Sequence, residues 1–243
     1  MSSAPHVLLL PGWLGSGPLH WQSLWQAAHG TPTTFVRVEQ HDWQRPLRGD
    51  WCARLEEVIA NHVARTAAVP ASAVGSPALS KSELPEQNLL GLQSDIPLKN
   101  SPSVVLVAHS LGCHLVAAWA AASRYTSAVC GALLVAPPDV TQADLPPDLY
   151  SWRTPVLNKL PFPAVCAISS NDPFASHAAG RAMAAAWDAR CDEMGARGHL
   201  NGDSGLGDWP AGLALVTELV TELANAQHSL PNPTQTGGHR HPT

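Results

Sequence analysis

The chain has 243 residues, 45% of them hydrophobic and 14% charged, with a formal net charge of −5; this suffices for one large buried core and offers no basic stripe for nucleic acid, an anionic membrane surface or a polyanionic substrate. No apolar run approaches membrane-spanning length, and Met1-Ser2-Ser3-Ala4-Pro5-His6 lacks the cationic and apolar regions of a signal peptide. Cys52, Cys113, Cys130, Cys166 and Cys191 are odd in number and form no C-x-x-C pair, so the expectation is a soluble cytoplasmic protein whose thiols are free and mostly buried.

His6-Val7-Leu8-Leu9-Leu10 reads as a first buried strand, stopped by Pro11-Gly12. The loop Trp13-Leu14-Gly15-Ser16-Gly17-Pro18 leads to a helix on which Trp21, Leu24, Trp25 and Ala28 share a core-facing side. A backbone N–H just after the first strand's glycine is where such folds place an oxyanion donor, and here that residue is Trp13. A plain glycine-rich turn is the alternative. Thr33–Val38 is a second strand candidate, and Glu39-Gln40-His41-Asp42-Trp43 leaves its carboxyl end, a place for substrate contacts. Asp50 caps a helix reaching about Ala64, with Trp51, Leu55, Val58, Ile59 and His62 on its inner side.

Between Thr66 and Pro102 prolines and serines interrupt any period. This segment reads as a flexible surface insertion outside the catalytic machinery, with Leu89-Leu90-Gly91-Leu92 as a short packing turn. Val104-Val105-Leu106-Val107-Ala108 then runs into His109-Ser110-Leu111-Gly112 and an alanine-rich helix. A strand buried on both faces, a sharp turn and a helix would present the Ser110 hydroxyl above the helix's positive end. The usual pattern is Gly-x-Ser-x-Gly, and Ala108 replaces its first glycine. A buried strand followed by a serine helix cap gives the same pentapeptide.

Gly131–Ala136 is a further strand, and the proline-rich stretch Val140–Pro163 is expected to form a pocket wall. Ala164–Ser169 is the next strand, followed at once by Asn171-Asp172-Pro173-Phe174. An alanine-rich helix from Ser176 or His177 to Trp187, a short strand over Arg190–Met194 and the loop Gly195-Ala196-Arg197-Gly198-His199 come next. Pro210 opens a closing helix to about Ala226, so the domain spans 1–227, and 228–243, with His239 and His241, reads as a disordered tail.

Ser110, Asp172 and His199 thus occur in the chain order nucleophile, acid, histidine, each leaving a strand's carboxyl end. A serine hydroxyl needs an imidazole to take its proton, and the imidazole needs a carboxylate to hold its tautomer. The backbone N–H groups of Trp13 and Leu111 would bind the developing oxyanion, and this chemistry requires no cofactor and no metal. Rival acids are Asp139, Asp192 and Asp203; rival histidines are His109, His114 and His177.

Leu10-Pro11-Gly12-Trp13 with His20-Trp21, His109-Ser110-Leu111-Gly112, Ser170-Asn171-Asp172-Pro173-Phe174 and, most distinctively, Gly198-His199-Leu200-Asn201 through Trp209-Pro210 carry a family resemblance. The chain resembles the small serine hydrolases of the α/β-hydrolase superfamily related to YdeN and retinoblastoma-binding protein 9. The resemblance implies a single-domain α/β-hydrolase fold: a mostly parallel sheet of about six strands, helices on both faces and little or no cap domain. It also implies the triad named above, acting through an acyl-enzyme on a small ester, amide or peptide. It does not extend to Thr66–Pro102 or the tail. The other reading is a hydrolase-like module whose work is to bind a protein partner, and a fluorophosphonate probe separates the two.

Overall fold

The computed structural model describes residues 5–30, 34–68 and 103–228. The Leu89–Leu92 turn, nearly all of the 66–102 insertion and the tail beyond His228 lie outside the described residues. Six strands, β1 (His6–Leu10), β2 (Phe35–Arg37), β3 (Val104–His109), β4 (Val129–Val135), β5 (Ala164–Ile168) and β6 (Arg190–Glu193), form one sheet in the order β2-β1-β3-β4-β5-β6. Every pairing is parallel. The helices are α1 (Trp21–His29), α2 (Arg48–Ala67), α3 (Leu111–Ala120), α4 (His177–Ala186) and α5 (Pro210–His228).

β1, β3, β4 and β5 are buried along their whole length, which is why they read as unbroken apolar runs. Alternate side chains serve opposite faces. Leu8, Leu10, Leu106 and Leu134 pack with Trp51, Leu55 and Ile59 of α2 and Leu115, Val116 and Trp119 of α3. Val7, Leu9, Val107 and Leu133 pack with Trp21 and Trp25 of α1 and Leu215, Val216 and Leu219 of α5. Each fully buried side chain of this size contributes about 1.5–3 kcal/mol.

The chain steps from β1 outward to β2, then crosses back to β3 on the other side of β1. α1 and α3 therefore leave neighbouring strands towards opposite faces, as their separate packing partners record. The crevice between such diverging loops is where open α/β sheets bind ligands.

The elements depart from the sequence reading mainly at their ends. α2 starts at Arg48 and runs to Ala67, so Asp50 lies in its first turn and the cap position belongs to Leu47. The early start has a tertiary cause: the Arg48 amide donates to Ser151 Oγ (3.1 Å) far along the chain. Thr66 and Ala67, taken as the start of the insertion, are helical. The Val140–Pro163 stretch is not wholly irregular, since Pro147–Trp152 forms a 3₁₀ helix anchored by Trp152 Nε1 donating to Pro46 O (2.7 Å).

Candidate active site

β3 ends at His109 and α3 begins at Leu111, which leaves Ser110 alone at the corner with φ 55° and ψ −125°. A non-glycine residue there costs on the order of 1–3 kcal/mol. The turn is held by the Ser110 N–H donating to Val135 O (2.8 Å) and the Cys113 N–H donating to Ser110 O (2.9 Å). The side chain does not cap the helix; its Oγ lies 2.9 Å from His199 Nε2. Backbones crowd the corner: a Cβ on Gly12 would come within 2.6 Å of Ser110 Cβ, and one on Gly112 within 2.3 Å of Leu10 O. The close approach falls on those two glycines, while Ala108 packs its methyl in the core beneath the turn. That explains why alanine is tolerated where the usual pattern has glycine.

His199 leaves β6 and Asp172 leaves β5, and the two side chains are almost wholly enclosed. His199 Nδ1 lies 3.0 Å from Asp172 Oδ1 and 2.9 Å from Oδ2, and Oδ1 also accepts the Phe174 N–H (2.9 Å). A carboxylate accepts only, so the imidazole proton sits on Nδ1 and Nε2 turns a lone pair towards Ser110. The rivals are occupied elsewhere. His109 Nε2 lies 2.9 Å from His199 O and His114 Nε2 2.8 Å from Pro138 O, while His177 is 3.4 Å from Glu193. Asp139 accepts from the Thr141 amide and hydroxyl. Asp192 is held in β6, and Asp203 lies in a 3₁₀ turn over Gly202–Ser204.

Leu111 opens α3, so its N–H belongs to the first turn, where helix amides lack an intrahelical acceptor. The Leu14 and Gly15 amides donate to Trp43 O (3.1 Å) and Gly12 O (3.0 Å), whereas the Trp13 amide has no backbone acceptor among the described residues. Trp13 follows the glycine pressed against Ser110, and its indole is pinned by Nε1 donating to Gln44 O (2.8 Å). The stretch 39–43, expected to touch substrate, braces this loop instead: Trp43 O accepts from the Leu14 N–H, and its ring lies where a Cβ on Gly15 would meet it at 3.7 Å; none of 39–43 lines the cavity.

A cavity of about 780 Å³ opens over Ser110 and His199. Its apolar surface comes from Trp13, Leu19, Leu111, Leu145, Leu149 and Phe174 among others, so the Val140–Pro163 stretch does supply a wall. Asp139, Asp144 and Asp203 also line it, and no lysine or arginine does among the described residues. Three of its lining residues are imidazoles packed edge to face: the His20 and His109 rings are 4.6 Å apart and those of His109 and His199 4.9 Å. Burial, then the Arg37 guanidinium and His199, pushes His20 down to about 4. Burial, with His20 and His199 nearby, holds His109 well below the ordinary histidine value. Among the described residues no group of three or more His, Cys, Asp or Glu side chains could hold a metal ion, and no helix is long and apolar enough to cross a membrane.

Residues that the sequence reading passed over brace this arrangement. Gln22 is fully buried; its Nε2 donates to Leu10 O (3.3 Å) and Val107 O (3.1 Å), and its Oε1 accepts from Ser16 Oγ (2.7 Å). It thereby ties the ends of β1 and β3 to the Trp13 loop. Its one sequence signal was a glutamine between two core tryptophans. Ser169 Oγ donates to Asn171 Oδ1 (2.9 Å) and accepts the Arg197 N–H (2.9 Å), while Asn171 Oδ1 accepts the Gly198 N–H (2.7 Å). These bonds fasten the Asp172 loop to the His199 loop.

A family model described as serine hydrolase matches residues 7–88 and 70–218. Among solved structures, the chain is similar to a YdeN-like hydrolase of Pectobacterium atrosepticum, at 22% identity and a TM-score of 0.62, over 90% of this chain and 92% of that one. It is similar to the ydeN gene product of B. subtilis at 16% identity and a TM-score of 0.59, over 90% of this chain and 100% of that one. Esterase 2 of Thermogutta terrifontis aligns at 13% identity and a TM-score of 0.58, over 91% and 84%. At such identities the likeness is one of fold, that of the α/β-hydrolases. A search of curated protein sequences returned no match.

Proposed function

Because the chain belongs to the serine hydrolase family, we propose that Ser110, His199 and Asp172 are its catalytic triad, hydrolysing a small ester, amide or peptide bond through an acyl-enzyme. The observation that carries this reading is the unbroken line from Asp172 to His199 Nδ1 and from His199 Nε2 to Ser110 Oγ, each step about 3 Å, at the base of the cavity.

Ser110 Oγ attacks the substrate carbonyl carbon as its proton passes to His199 Nε2. Asp172 holds Nδ1–H and stabilises the imidazolium that forms. The negative charge gathering on the carbonyl oxygen is met by the Trp13 and Leu111 amides and by the positive end of α3. Collapse of the tetrahedral species expels the alcohol or amine, which takes the proton from Nε2. Water, deprotonated by the same nitrogen, then attacks the acyl carbon; collapse of the second tetrahedral species breaks the bond to Ser110 Oγ, which takes the proton back from Nε2 as the carboxylic acid leaves. The acyl group occupies the cavity, whose size suits a small ligand.

The test is hydrolysis of chromogenic esters together with covalent labelling by a fluorophosphonate, with the modified peptide identified by mass spectrometry. The expected result is turnover and a single adduct on Ser110, both abolished in Ser110→Ala while circular dichroism stays unchanged. Undiminished turnover by Ser110→Ala would end the triad assignment.

A further inference from the structure

His199 stands on a loop with little local reason to keep its shape. The loop leaves β6, a four-residue edge strand that is half exposed, and His199 is flanked by Gly198 at φ 60° and Leu200 at φ 48°. The leucine is in a conformation that L-residues adopt at a cost. Four consecutive residues here each bond, through the backbone, to a side chain from elsewhere. The Arg197 and Gly198 amides donate to Ser169 and Asn171 in the acid loop. Leu200 O accepts from Trp21 Nε1 of α1 (2.8 Å). His199 O faces Nε2 of His109 (2.9 Å), the residue immediately before the nucleophile.

We infer that His109 is a positioning residue, whose Nε2–H holds the carbonyl of His199 and so sets the distance between the base and Ser110. This inference rests on the reading of His199 as the general base. A carbonyl only accepts, so the His109 proton must sit on Nε2. His109 is 5% exposed, and its ring is wedged against His20 and His199, so the donor has little freedom. Because His109 and Ser110 are adjacent in one strained turn, the bond references the base directly to the nucleophile's own backbone. The remaining anchors reference it to the acid loop and to α1.

Three substitutions separate this role from simple packing. His109→Phe keeps a ring but removes the donor; His109→Gln places an amide N–H near the position of Nε2; His109→Asn places it near that of Nδ1. Misplacing a catalytic group by about 1 Å costs on the order of 10²-fold. His109→Phe and His109→Asn are therefore expected to lose about that factor in kcat and in the rate of fluorophosphonate labelling, with KM changed by less than about threefold. His109→Gln should recover most of the loss at a Tm equal to that of His109→Asn. Equal kcat in the Gln and Asn variants at matched Tm overturns the inference, as does near-native kcat in a folded His109→Phe protein. Where His109→Phe does not fold, the Gln and Asn pair decides. Ser110→Ala, run alongside, tells the two levels apart: undiminished turnover there removes the triad itself, whereas an inactive Ser110→Ala beside a fully active His109→Phe removes only the role of His109.

Discussion

The two late carboxylates illustrate how much depends on where a residue stands on its strand. Asp172 follows β5 in a turn closed by Pro173, free to reach across the carboxyl edge to His199, whereas Asp192 is inside β6, paired beside Ala167. Asp172→Asn is expected to keep the fold and reduce ester turnover by about four orders of magnitude, the scale seen when a triad histidine loses its tautomer. Asp192→Asn should change turnover little. Steady-state kinetics of the two variants, with circular dichroism as a check on folding, decides; a reversed order would reassign the acid while leaving Ser110 and His199 in place.

At the scale of elements, the Ser110 corner depends on how closely β1, β3 and α3 approach one another. Alanine is the better helix former by about 1 kcal/mol, so propensity alone makes Gly112→Ala stabilising. The 2.3 Å that separates the added Cβ from Leu10 O reverses that sign. Gly112→Ala is expected to unfold at a temperature several degrees lower and to lose turnover, and an unchanged Tm would mean that the strand and helix can part at no cost. Gln22 acts on the same junction from within. Gln22→Met leaves the buried Ser16 hydroxyl without its acceptor and removes two donations to carbonyls of the β1–β3 ladder, which should lower the urea midpoint by the equivalent of about 1–3 kcal/mol with an unaltered slope.

For the whole molecule, histidines held neutral by burial or partial burial make stability depend on acidity. Burial, then His6 and Arg65, pushes His62 down to about 4, as burial, Arg37 and His199 do for His20; burial also lowers His109 and His114. Each is depressed in the folded state, so the unfolded chain binds more protons below about pH 6.5, and for His20 and His62 that window reaches down to about pH 4. Their contribution is whole above that window and is lost as pH falls through it, with a ceiling of about 1.4 kcal/mol per pH unit for each histidine. Tm measured from pH 7.5 to 4.5 should fall steadily below about 6.5; a flat profile would mean that these rings are not held neutral. The cavity adds a second expectation. Lined by three aspartates and, among the described residues, by no cation, it should process neutral acyl esters faster than esters of the same length ending in a carboxylate, by about tenfold or more in kcat/KM at low salt.

The sequence by itself determined the strands, the corner at Ser110 and the order of serine, acid and histidine. These are local signals: an apolar run buried on both faces ends in glycine, proline or a serine corner, and the periods and turn residues lie within a few positions of one another. It also offered three acids and three histidines besides the pair that meets; position within a strand, corner or helix counts against Asp192, His109 and His114, but which side chains touch is not a local property. The pairing of Asp172 with His199 spans 27 positions, that of His199 with Ser110 89, and that of Gln22 with Val107 85. Such bonds depend on which strands lie side by side and where the chain crosses back from β2 to β3, and no periodicity records that. The same reason explains why 39–43 braces the Trp13 loop instead of lining the cavity, and why Ser151 sets the start of α2. Tertiary structure decided those, because a buried polar group takes whichever partner the packed sheet brings within 3 Å.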